Sequence, residues 1–247
     1  QFTSQLSAVI SGEIIASIAF HDVEESPNQF VAGGRDAELV IAARGNDIVL
    51  FKVPETARPK AASLASDGLA QVEFASAEAS VLASGADAIS IFNAALEEWK
   101  ILISAALAGL GRQALRMASE YACERKQFDQ QIGKFQAISH PLADCLCSVD
   151  CGKLLTWKVI RAIADGDAGA GAQISAAAWW NANAAGEAVS QALQTFGGYG
   201  LTTEYDIYLY ALRARSWPLV AGDPEIWLTE AGRRQYGNEV VSLPVVG

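Results

Sequence analysis

The sequence predicts an α+β chain: a short β-barrel-like domain over residues 1–86, followed by an up-down helical bundle over residues 87–247. Three observations predict it. Before residue 86 the apolar runs are short and broken by Gly, Pro, Asn and Asp. After it the chain is rich in alanine, the strongest helix former, as at Ala105-Ala106, Ala176-Ala177-Ala178 and Ala184-Ala185. The breaks between the later helical stretches are only a few residues long, as antiparallel neighbours require.

Four runs read as strands: Ile14 to Phe20, Glu38 to Ala43, Asp47 to Val53, and Ala70 to Phe74. Gly45-Asn46-Asp47 supplies a hairpin turn between the second and third. Asp87 can cap a long helix running to about Arg125, which Lys126-Gln127 and Asp129 end. A second helix is predicted from about Phe135 to Ala164, stopped by Asp165-Gly166-Asp167. A third runs from about Ala168 to Phe196, broken by Gly197-Gly198-Tyr199-Gly200. Thr203-Glu204 opens a short helix, and Asp223-Pro224-Glu225 opens the last.

Composition narrows the function. Hydrophobic residues make up 51% of the chain, enough for a real core. A net charge of −10 argues against a nucleic-acid partner, since phosphate neutralisation needs clustered Lys and Arg. No apolar run reaches the roughly 20 residues that span a bilayer. The chain opens without a secretory signal and without Met, so the expectation is a processed or incomplete cytoplasmic protein. Cys123, Cys145, Cys147 and Cys151 fit neither a zinc pattern nor a disulfide framework. They read as buried free thiols, and no metal site is expected. His21 and His140 lie far apart, and neither has a second ligand at a recognisable spacing.

Three segments carry a resemblance. The first is Arg125-Lys126-Gln127-Phe128 with Ile132-Gly133 and Phe135-Gln136. The second is Gln194-Thr195-Phe196-Gly197-Gly198-Tyr199-Gly200, with Glu204 beyond. The third, weaker, is Arg213-Ala214-Arg215 and the Gly222 region. In this order the chain resembles the acyl-CoA dehydrogenase family, over about residues 14 to 237 and most strongly from 105 to 215. The resemblance implies FAD as cofactor, held through Arg125, Gln127, Phe128, Gln136, Gln194, Gly197 and Gly198. In the family both turns contact the FAD of a neighbouring subunit. The chemistry is apt: a guanidinium suits a pyrophosphate, Phe128 offers an aromatic surface, and the glycines admit a ligand close to the backbone. Two plainer readings stay open. Arg125 could serve the carbonyls at its own helix end, and the glycines could simply stop a helix. Gly109-Leu110-Gly111 is no dinucleotide fingerprint, because it lies inside a helical pattern with no strand before it.

The chain also departs from the family. A family member removes a proton α to a thioester carbonyl with a glutamate at one of two positions. Here those positions read Ala221 and Trp99, so no catalytic residue is assigned to this chain. Glu98 could serve only in a shifted register, and Asp223 more simply caps the next helix. Phe20-His21-Asp22 falls where the family commonly has threonine-glutamate, and no flavin-facing tryptophan segment is recognisable. The usual N-terminal helical domain is missing, and Asp22 to Val31 is abrupt for the family. The resemblance therefore implies one subunit of a heteromeric acyl-CoA dehydrogenase, an α2β2 assembly acting on a CoA thioester such as a steroid side-chain ester. The unlike chain would supply the glutamate. The rival readings are a homo-oligomeric dehydrogenase with a displaced base, a related flavin monooxygenase, and a non-enzymatic helical interaction protein.

Overall fold

The computed structural model describes residues 2–63 and 68–237. By contacts the chain divides into two compact units, residues 1–98 with 219–221, and residues 99–218 with 222–247. The division falls inside the first long helix, between Glu98 and Trp99, rather than at its start.

The first unit opens on a helix the sequence did not signal, α1 (Thr3–Ser11), closed by Gly12 at φ 78°. Six strands follow: β1 (Ala16–Ile18), β2 (Asn28–Val31), β3 (Leu39–Arg44), β4 (Asp47–Lys52), β5 (Ala70–Glu73) and β6 (Glu78–Ser84). They form a four-stranded sheet in the order β1-β3-β4-β6 and a two-stranded sheet of β2 and β5. β1 runs parallel to β3, and the other pairings are antiparallel. The predicted β3–β4 hairpin is present, with Arg44 opposite Asp47 across Gly45-Asn46. Gly45 takes φ 57°, as a tight two-residue turn needs.

The two sheets share one core, in which Val31 and Val72 meet Val40, Ala42, Val49 and Phe51. This enclosure is the barrel-like feature expected. The opposite face of the larger sheet packs Ile48, Ile41 and Ile18 against Ala88 and Phe92 of α2 (Ala86–Glu124). Cover on both faces explains why β3 reads as an unbroken apolar run rather than an alternating one. Strands β2 and β6 escaped notice for the opposite reason. One is Asn-Gln-Phe-Val behind a proline, the other a mixture of Ala and Ser with few β-branched residues.

The second unit is the bundle: the rest of α2, then α3 (Gln136–Ala164), α4 (Ala170–Phe196), α5 (Ile207–Ser216) and α6 (Glu225–Tyr236). Its long helices start and stop within about two residues of the sequence expectation. Asp87 lies within the first turn of α2, not ahead of it. The short helix begins at Ile207, beyond Thr203-Glu204, which lie in a turn. Pro224 sits at the N-cap of α6.

Helix α4 is the bundle's centre, and its alanines allow close packing. Against α3, Gly152 approaches so closely that an added Cβ would stand 2.4 Å from Asn181 Oδ1. The amide of Asn181, itself 1% exposed, donates to the carbonyls of Gly152 (3.1 Å) and Ala177 (2.8 Å). Glu230 of α6 ties the helices together: it accepts from Lys100 Nζ at 2.6 Å and from Ser175 Oγ at 2.8 Å. Among the described residues no helix is long and apolar enough to cross a membrane.

Candidate functional site at the end of the bundle

Two turns meet at one end of the second unit. The first follows α2. The Arg125 amide donates to the Tyr121 carbonyl at 2.8 Å, the last bond of the helix, and its own carbonyl accepts from Ile132 N at 2.9 Å. Between these, β7 (Lys126–Gln127) pairs with β8 (Gln130–Gln131) as a minimal hairpin. Its two central residues are Phe128 at φ 51° and Asp129 at φ 61°. A two-residue turn of this kind needs positive φ at both positions, and Phe tolerates it poorly. The turn holds the Phe128 ring in the open, 88% exposed and T-shaped to Phe135 with ring centroids 6.1 Å apart. Gln127 is exposed and bonds the Lys126 carbonyl at 2.8 Å, while Gln136 is exposed at the first position of α3.

The second turn follows α4. Gly197 takes φ 61°, ψ −139°, a combination open to glycine, and its amide donates to the carbonyls of Gln194 and Leu193. Gly200 is buried, with Leu193 O 3.1 Å from where a Cβ would be. At Gly198 an added Cβ would meet nothing of the described residues within 4 Å, so the space beside it is open. The positive φ at this turn belongs to Gly197. Gln194 is exposed one turn earlier.

An aromatic cluster joins the two turns. Tyr121 stacks on Phe196 with ring centroids 4.3 Å apart, and Tyr205 packs against Tyr121 (5.7 Å), Phe196 (5.0 Å) and Tyr199 (6.1 Å). Arg125 reaches across so that its guanidinium carbon lies 5.9 Å from the Tyr199 ring centroid. It makes no ion pair with a carboxylate among the described residues. A guanidinium, an exposed aromatic ring and a bare glycine backbone fit a large ligand that carries a pyrophosphate and flat rings.

The expected base positions hold apolar side chains. Trp99, half-buried, meets Trp227 edge to face at 6.1 Å. Ala221 is also half-buried. Glu98 is exposed, and Asp223 Oδ1 accepts from the Glu225 amide at 3.0 Å just ahead of α6, whose N-cap position is held by Pro224.

The cysteines need a correction. All four are free, but Cys123 and Cys147 are exposed, and Cys145 and Cys151 only half-buried. Successive helix positions turn by about 100°, so Cys145 and Cys147 cannot both face the core. Partial burial, then the carboxylates of Glu187 and Asp144, push the Cys145 thiol above its ordinary pKa. Among the described residues no group of three His, Cys, Asp or Glu side chains is placed to hold a metal.

Sequence reasoning missed one feature. A groove of about 790 Å³ runs between α2 and α3, lined by Arg112, Arg116, Cys123, Lys134, Leu142 and Leu146 among others. No local pattern signals it, because it arises from how two helices diverge.

Comparison with known proteins gives a consistent result. Residues 89–236 match the family described as acyl-CoA dehydrogenase, C-terminal domain. The acyl-CoA dehydrogenase FadE34 of Mycobacterium tuberculosis is 30% identical over 260 aligned positions, covering 96% of this chain and 35% of its own length. The chain spans about a third of the length of the first curated relatives it matches. Among solved structures, the ChsE4-ChsE5 complex from Mycobacterium tuberculosis superposes with a TM-score of 0.79 at 23% identity, covering 94% of this chain and 69% of the other. A variant of the Tcur3481-Tcur3483 steroid ACAD gives 0.78 at 21% identity, covering 94% and 70%.

Proposed function

Because this chain belongs to the acyl-CoA dehydrogenase family, we propose that it is the base-lacking subunit of a heteromeric, FAD-dependent acyl-CoA dehydrogenase. The observation that carries this reading is the pair of apolar residues at the family's base positions. Neither Ala221 nor the indole of Trp99, packed on Trp227, can accept a proton from a substrate carbon.

The residues of this chain would then hold cofactor rather than move protons. Arg125 would pair with the pyrophosphate, Phe128 would lie against a flat ring, and Gly197-Gly198 would let the ligand approach the backbone. Gln127, Gln136 and Gln194 would offer side-chain amides. When bound, FAD supplies hydride acceptance from the β carbon of the thioester. The proton from the α carbon would go to a glutamate of the unlike chain. Two similar structures support the quaternary part: one is a complex of ChsE4 with ChsE5, and the other is named as a steroid ACAD of two designations. A cytoplasmic α2β2 assembly acting on a steroid side-chain CoA ester fits both.

The test is anaerobic flavin reduction by a CoA thioester. We expect the isolated chain to give none and the complex with its unlike partner to bleach. Replacing the partner's glutamate by Gln should slow bleaching by roughly 10²–10⁴-fold, while Glu98→Gln in this chain leaves it unchanged. Rapid bleaching by the isolated chain, lost in Glu98→Gln, would instead establish a homo-oligomeric dehydrogenase with a displaced base.

A further inference from the structure

The groove between α2 and α3 has an apolar floor and two unlike ends. Its volume of about 790 Å³ falls in the range of small-molecule sites. Along α2 its lining runs from Gly109 to Cys123, roughly 21 Å of helix. A trough of that length between two helices suits a narrow, elongated molecule better than a compact one. In its floor Leu115 is 5% exposed, and Leu142 of α3 packs against the cluster that holds it. Leu146, 41% exposed, extends the apolar surface. Small residues keep the trough open: Ala143 lines it, and a Cβ added at Gly109 would meet nothing of the described residues within 4 Å.

The cations along the rim are not equivalent. Arg112 Nη1 holds Asp150 Oδ1 at 2.7 Å, bridging α2 to α3. Arg116 spends Nη1 on Glu120 Oε1 (2.5 Å) and Nε on Gln113 Oε1 (3.0 Å). Lys134 is exposed and makes no ion pair with a carboxylate among the described residues. Its neighbour Gly133 lies so close to α2 that an added Cβ would stand 3.1 Å from the Ala122 carbonyl oxygen, which puts Lys134 beside the Cys123 end. One ammonium thus marks one end of an apolar trough whose two arginines already face carboxylates. The complementary molecule carries one negative head and a long apolar tail. A nucleotide with several phosphates would outnumber that single charge.

We propose that this groove binds a long-chain alkyl carboxylate, with its head at Lys134 and its tail along Leu142 and Leu146 toward Gly109. The proposal goes beyond the flavin reading and does not depend on it, because no residue assigned to FAD lines the groove. Its failure would leave that reading intact.

The experiment is calorimetric titration of the purified protein, with any chain that copurifies, using dodecanoate below its micellar concentration. We expect saturable binding of one dodecanoate per copy of this chain. Lengthening the probe from octanoate should tighten binding by about two- to fourfold per methylene, as burial of the tail predicts. Lys134→Gln should weaken dodecanoate by about two- to fivefold, the worth of an exposed ion pair. Gly109→Leu and Ala143→Trp fill the trough from its two walls, and each should weaken binding by about tenfold or more. Gly109→Leu also exchanges glycine for a better helix former, so its fold should not suffer. Dodecyltrimethylammonium, with the same tail and the opposite charge, should bind more weakly than dodecanoate by about fivefold or more. Absence of saturable binding would overturn the proposal, including absence because another chain covers the groove. Equal binding of the two amphiphiles would overturn it too, as would parental affinity in a filled variant with native circular dichroism.

Discussion

The guanidinium of Arg125 lies over the ring of Tyr199, 5.9 Å from the ring centroid, and so joins the turn after α2 to the turn after α4. Such a contact at an exposed site contributes only about 0.5–1 kcal/mol. The fold therefore does not depend on this arginine, whose neighbours Tyr121, Phe196 and Tyr205 hold the two turns without it. Arg125→Ala should accordingly keep its helix content and melting temperature while binding FAD more weakly. Losing a charge-assisted bond costs roughly 1.5–3 kcal/mol, or a tenfold to hundredfold rise in Kd, read by flavin fluorescence titration. Full flavin affinity in a folded variant would mean that Arg125 serves only its own helix end.

The glycine turn separates stability from ligand approach. Gly197→Ala forces a side chain into a backbone state with φ 61°, which should cost about 1–3 kcal/mol of stability and lower the melting temperature. Gly198→Ala adds a methyl group where nothing lies within 4 Å, so the melting temperature should hardly move. If the Gly198 backbone comes close to flavin, that second variant should nonetheless lose flavin content. A Gly198→Ala protein with parental flavin content and stability would assign the turn to helix termination alone.

Cys145 should be the slow thiol. Burial raises its pKa, and Glu187 and Asp144 add to the rise by disfavouring the thiolate. The thiolate is the reactive form, so at neutral pH alkylation followed by peptide mass mapping should modify Cys147 well before Cys145. Raising the pH should narrow the gap, because the thiolate of Cys145 appears only at higher pH. Glu187→Gln removes one of the charges and should speed Cys145 alone. Equal rates for Cys145 and Cys147 across the pH range would contradict the described burial.

The sequence by itself determined the helical half of this protein. The α2, α3 and α4 boundaries follow from signals that act within a few residues, namely alanine propensity, Asp-Gly-Asp and Gly-Gly breaks, and the polar segment after Glu124. It also determined which chemical groups are on offer: Arg125, Phe128, the exposed glutamines and the two glycines, with no acid at Trp99 or Ala221. Strands β2 and β6 were not legible, because pairing with β5 and β4 stabilises segments whose own residues have little strand character. Nor was the turn at Phe128-Asp129, which takes positive φ without the Asn-Gly pair that usually announces it. Tertiary structure alone decided that Arg125 and Tyr199 share one surface, that Gly197 rather than Gly198 carries the positive φ, and that Cys147 faces outward while Cys145 is half-covered. Each of these depends on how helices far apart in sequence lie against one another. That is set by summed side-chain packing around α4, to which no short stretch of sequence contributes enough to reveal it.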